Sequence, residues 1–148
     1  MKTVERIIEI YGGIEHLKEN PIKIKNGGFM DICIEYIGEG PRGFPMVSVA
    51  HYYEQNSDLM RDPDMVFEVS QDMGWGPISY RQDGLGVYQE AVFKDEDGKV
   101  MINPRLVLEL KQFARQWDKN LKDQGFLDAA KEATGGEPRP QSEREVEK

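Results

Sequence analysis

One cysteine, two histidines and no long apolar run set the first limits on this 148-residue chain. Cys33 alone permits no intrachain disulfide, so stability does not depend on an oxidising compartment. Two histidines exclude a His-rich metal site, and no segment approaches the ~20 apolar residues of a membrane helix. The opening Met1-Lys2-Thr3-Val4-Glu5-Arg6 lacks the apolar core of a secretion signal, which makes the cytoplasm the expected location, with no membrane partner. A G-x-S-x-G elbow, a P-loop and a dinucleotide fingerprint are missing too, and Gly84-Leu85-Gly86 is too short to stand for one. The expectation is a protein that is not an enzyme, with no cofactor, catalytic residue or metal ligand.

Basic residues are scarce in one region. Phe29 to Gly98 hold fourteen Asp or Glu and four Lys or Arg, net −10, against +1 on either side. A stretch of that sign repels nucleic acid and attracts basic partners, so direct nucleic-acid binding is not expected.

What is present reads as one α+β domain over residues 1–133, with residues 134–148 as a disordered C-terminal tail that holds one aliphatic residue. Val4, Ile7, Ile8 and Tyr11 recur at helical spacing with Thr3 as the expected N-cap; Gly12-Gly13 stops that helix and a short one follows from Ile14 to Lys18. The period then changes to two. Met30, Ile32, Ile34 and Tyr36 alternate with Asp31 and Glu35, and Pro45 to Glu54 returns after the turn Gly38 to Gly43. Asn56-Ser57-Asp58 and Arg61-Asp62-Pro63 read as breaks before a third alternating strand, Asp64 to Val69. Ile78 to Gln82, Val87 to Lys94 and Lys99 to Ile102 complete an antiparallel β-meander of five or six strands. Asn103-Pro104 is a strong helix start, and Leu106, Leu110, Phe113, Trp117 and Leu121 form its apolar stripe; a weaker helix spans Leu127 to Glu132. The N-terminal and C-terminal helices are expected to pack on one face of the sheet.

The other face then collects carboxylates: Asp31 and Glu35 from one strand, Asp64 and Glu68 from another, with Glu54 or Glu90 as a further member. Acids at i and i+4 of a strand stand ~13 Å apart, so a Mg²⁺ or Ca²⁺ site needs two strands to cooperate; a solvated face kept polar is the plainer explanation. Pro63-Asp64 with Glu68 lacks the Lys and the spacing of a metal nuclease, since position 70 is Ser. Asp95-x-Asp97-Gly98 lacks the remaining calcium-loop ligands and is explained by a hairpin turn. His51 shares a face with Val47, Val49 and Tyr53, which predicts a packed, hydrogen-bonded ring rather than a ligand. Cys33 sits between acids that disfavour its thiolate. Tyr52, Tyr53, Trp75, Tyr80 and Tyr88 lack the cations of a base-stacking platform; rings left exposed near the acids would suit a protein partner.

The stretches HYYEQNSDLMRDPDMVFEV from His51 to Val69 and WGPISYRQDGLGVYQE from Trp75 to Glu90, with MKTVERIIEIYGGIEHLKENPIKI at the N-terminus, resemble an uncharacterised family of small bacterial proteins. These are encoded on conjugative transposons and related mobile elements. The resemblance covers residues 1–122 and implies a bacterial setting accessory to a mobile element, with no activity, cofactor or residue role to carry over.

The leading expectation is a non-enzymatic accessory protein that binds a protein partner, basic in character, through Asp31, Glu35, Tyr52, Glu54, Asp64, Glu68 and Trp75 or the loops beside them. The alternatives are a DNA-mimicking inhibitor of a restriction or defence nuclease and a metal-dependent hydrolase using the sheet carboxylates. Exposed strand edges would also allow a dimer.

Overall fold

Strict alternation from Ile32 onward lays down a sheet with one oily and one polar side, and the helices at the two chain ends cover the oily one. The computed structural model describes residues 1–135. Their order is α1 (Lys2–Ile10), α2 (Ile14–Leu17), β1 (Ile22–Ile24), β2 (Ile32–Glu39), β3 (Pro45–Gln55), β4 (Asp58–Ser70), β5 (Gly74–Gln82), a 3-10 turn (Asp83–Leu85), β6 (Val87–Glu90), β7 (Val92–Lys94), β8 (Val100–Ile102), α3 (Pro104–Asp123) and α4 (Phe126–Thr134). Strands β1 to β6 form one antiparallel sheet in chain order, and β7 pairs with β8 alone. The architecture is α+β, as the pattern predicts.

Ile32, Ile34, Val47, Val49, Met65 and Phe67 point to the inner face, where they meet Val4 and Ile7 of α1, Leu110, Trp117 and Leu121 of α3, and Phe126 of α4. Fully burying one such side chain contributes roughly 1.5–3 kcal/mol, so this face dominates the stability of the fold. His51 extends the same row. It is 7% exposed, its ring packs on Trp117 and Phe126, and Nδ1 lies 3.1 Å from the Asp31 carbonyl. A carbonyl only accepts, so Nδ1 carries a proton, while burial lowers the pKa of the ring. The packed histidine expected from the sequence is what the fold contains.

Several expectations are corrected. Thr3 is not the cap of α1: Met1 is, without a side-chain bond, and Asp118 of α3 accepts from the N–H groups of Thr3 at 3.0 and 3.1 Å and of Val4 at 3.3 Å. Met30 lies outside β2 and is exposed, because residues 26–29 turn and the Asp31 carbonyl is taken by His51 rather than by a neighbouring strand. Arg61-Asp62-Pro63 does not break the chain. Asn56 and Ser57, both at positive φ, make a two-residue hairpin turn, and β4 runs through Pro63 by way of a bulge opposite Ala50 and Tyr52. A bulged position asks no ladder N–H of a proline. The expected strand Val87 to Lys94 is interrupted at Ala91, whose N–H and carbonyl bond to Ile78 and Asn103, so β7 leaves the main sheet. Helix α4 runs to Thr134, one residue past the expected domain end; the expected tail lies, from residue 136 on, outside the described residues.

Candidate functional site

The register fixes what the outer face presents. One row across β2 to β6 reads Glu35, Ser48, Val66, Ser79, Glu90, and the next reads Cys33, Ala50, Asp64, Arg81, Tyr88. Carboxylates therefore alternate with hydroxyl, apolar and basic side chains instead of lying together. Each expected acid also has its own surroundings. Asp31 stands 3.6 Å from Lys23. Asp64 accepts from the Ser48 hydroxyl at 2.7 Å, while burial pushes its carboxyl above the usual range. Glu54 is exposed near the tip of the β3–β4 hairpin. Tyr52 pairs with Arg61, and burial together with the charge of Asp64 pushes its phenol up to about 12.

Glu68 is a structural residue. It is 3% exposed, and Oε2 accepts from the N–H groups of Arg42 at 2.8 Å and Phe44 at 3.3 Å, which pins the Gly40 to Phe44 turn onto the sheet. Arg42 Nε adds an ion pair at 3.7 Å. Gly40 is required there, since a Cβ on it would meet Glu68 Cγ at 2.4 Å. On β2, burial raises the Cys33 thiol further than the nearby carboxylates do.

Trp75 is elsewhere. A second register shift, at Ile78, turns the residues before it over, so Trp75 sits opposite Val69 with its ring 5.3 Å from Phe67. That is the helical side of the sheet. Here α1, the Gly12-Gly13 turn and the start of α2 face the β4–β5 turn across a groove of about 810 Å³. Its apolar lining includes Ile8, Ile14, Phe44, Val69 and Trp75; its charged lining is Glu5, Glu9, Glu15 and Asp72, with no Lys, Arg or His. Glu5, Glu9 and Glu15 have neighbours of opposite sign, the Met1 amine at 3.9 Å, Arg6 at 3.3 Å and Lys18 at 2.9 Å, but exposed pairs are weak and the lining itself stays acidic.

A second concavity, of about 600 Å³, opens on the outer face between the Gly40-Pro41 turn and β7. Among the described residues no three His, Cys, Asp or Glu side chains are placed to hold a metal ion, and no helix is long and apolar enough to cross a membrane.

The model of a family described as a domain of unknown function, DUF6908, matches residues 2–127. The chain belongs to this DUF6908 family. No curated protein and no solved structure matches it. The match reaches from α1 to the start of α4, so every residue lining the two concavities of this DUF6908 domain lies within the family's span. Of the expected interaction residues, Asp64 lines the outer concavity and Trp75 the groove; Asp31, Glu35, Tyr52 and Glu54 line neither. The acids that do stand beside Trp75 come from the helices and, at Asp72, from the β4–β5 turn. Glu5 and Glu9 at i and i+4 were a readable sign of an acidic helical stripe, but nothing local ties that stripe to a tryptophan some seventy positions away in the sequence.

Proposed function

We propose that this DUF6908 domain is a non-enzymatic binding module that seats a basic, amphipathic segment of a partner protein in the groove between α1–α2 and the β4–β5 turn. The observation that carries this reading is the pairing of a half-buried tryptophan and an aliphatic floor with four carboxylates in a lining that itself holds no cation. Apolar anchors of the partner bury against Ile8, Val69 and Trp75, and its lysines or arginines meet Glu5, Glu9, Glu15 and Asp72 at the rim. The setting, accessory to a bacterial mobile element in the cytoplasm, rests on the sequence resemblance alone. A DNA mimic or a metal-dependent hydrolase is a weaker reading, because each needs carboxylates in rows or clusters and the sheet acids alternate with Ser79, Arg81 and Tyr88.

The two tryptophans give two indole N–H signals in a ¹H–¹⁵N spectrum, which makes the groove easy to watch. A Lys/Leu amphipathic peptide is expected to shift the Trp75 signal saturably, and its Glu/Leu counterpart is not. Glu9→Lys with Glu15→Lys should weaken binding roughly tenfold, and raising salt should weaken it further. Equal binding of both peptides, or a Trp75 signal that stays still, overturns the reading.

A further inference from the structure

We propose that the outer-face concavity is a separate small-molecule site that takes an amphipathic zwitterion of the amino-acid class. Its volume, about 600 Å³, falls in the range of ligand sites, and it is open to solvent on one side. Ser79 marks it. This residue is only 8% exposed, lines the cavity, and its hydroxyl bonds to no described residue. That hydroxyl is reachable from the opening, where a ligand can donate to it or accept from it.

The charges around it point to both ends of a ligand. Arg61 is consumed by Asp83, with Nε to Oδ2 at 2.8 Å. Arg81, by contrast, lies over the Tyr88 ring at 4.2 Å, opposite Asp64, and forms no ion pair with a described carboxylate; Lys94 and Glu90, also on the lining, form none either, though Glu90 and Arg81 both act on the Tyr88 hydroxyl. Ser79 and Arg81 are two residues apart on β5 and so point the same way at roughly 7 Å, while Glu90 stands directly across from Ser79 on β6, roughly 5 Å away. The three make a small triangle of hydroxyl, guanidinium and carboxylate. A ligand carboxylate placed between Ser79 and Arg81 leaves an adjacent ammonium within reach of Glu90. Met46, Val66 and Ile78 form the apolar floor, and Phe93 the far wall, for a side chain. A singly charged ligand satisfies one corner of the triangle and opposes another, which is why a ligand of both signs is favoured.

The test uses the full chain labelled with ¹⁵N and titrated with L-leucine, L-methionine and L-phenylalanine. At least one is expected to shift the amides of Ser79, Arg81 and Glu90 saturably at millimolar concentration. For that one, the N-acetyl and methyl-ester forms, which each lack one charge, should bind at least about tenfold more weakly. Ser79→Ala and Arg81→Gln, both checked for a native spectrum, should weaken binding, whereas Glu9→Lys with Glu15→Lys should leave it unchanged. The last arm separates this site from the groove, so either can fail alone. No saturable shift with any of the three, or equal binding of the single-charge forms, overturns the proposal.

Discussion

Replacing Asp118 with alanine tests a side-chain hydrogen bond that joins the two ends of the chain. Its carboxylate receives the N–H groups of Thr3 and Val4, two of the four at the start of α1 that have no helical acceptor, and Met1 supplies no side-chain cap. A missing cap costs roughly 0.5–2 kcal/mol, and loss of a bond to a charged acceptor roughly 1.5–3. The contact is part-buried, so the combined loss for Asp118→Ala is about 2 kcal/mol. At about 3 °C per kcal/mol for a chain of this length, the melting temperature falls by about 6 °C. Asp118→Asn keeps an acceptor without the charge and should lose about half as much. Thermal melts by circular dichroism measure the shift, and hydrogen exchange at the Thr3 and Val4 amides shows where it originates. A variant that melts within about 1 °C of the parent, or unchanged protection at those two amides, would refute the capping argument.

Glu68→Ala should be costlier, about 3 kcal/mol by urea titration, because it strands the Arg42 and Phe44 N–H groups and leaves Arg42 without its anion; Glu68→Gln should lose about half of that, and no loss for Glu68→Gln would mean that the charge contributes nothing. His51 gives a pH signature. Burial lowers its folded pKa, so below about 6.5 the unfolded chain binds a proton that the fold refuses, and stability present above that pH is lost as it falls toward the folded value. Urea midpoints at pH 7.5, 6.5 and 5.5 should drop for the parent and flatten for His51→Phe; parallel slopes would rule the ring out as the cause. Asp64 acts with the opposite sign in a more acidic window, since its raised folded pKa makes protonation favour the fold as pH falls through it.

The parts of the fold that the sequence disclosed are those set by neighbours a few positions away. Period-two alternation placed β2, β3 and the second half of β4, and Asn103 capped α3 as expected, accepting from the Leu106 N–H at 3.2 Å. Strand β1 escaped notice because three residues are too few to show a period. Larger differences came from two bulges. An extra residue at Pro63 and another at Ile78 change which side of the sheet a segment presents, and a single such step carried Trp75 away from the face that its neighbours suggested. The acids were legible as a count but not as a surface: three of the four basic residues between Phe29 and Gly98 are arginines, and two of them pair with Glu68 and Asp83. Which carboxylates stay free follows from strand register, which is set by contacts across the whole chain.

The helices that close the oily side of the sheet also have a consequence for biosynthesis. Leu110, Trp117, Leu121 and Phe126 are translated after all eight strands, so the ribosome releases a nearly finished sheet whose apolar side has only α1 to cover it. Until the last helices clear the exit tunnel, that side is available to chaperones and proteases, and a chain cut short before residue 104 would stay so.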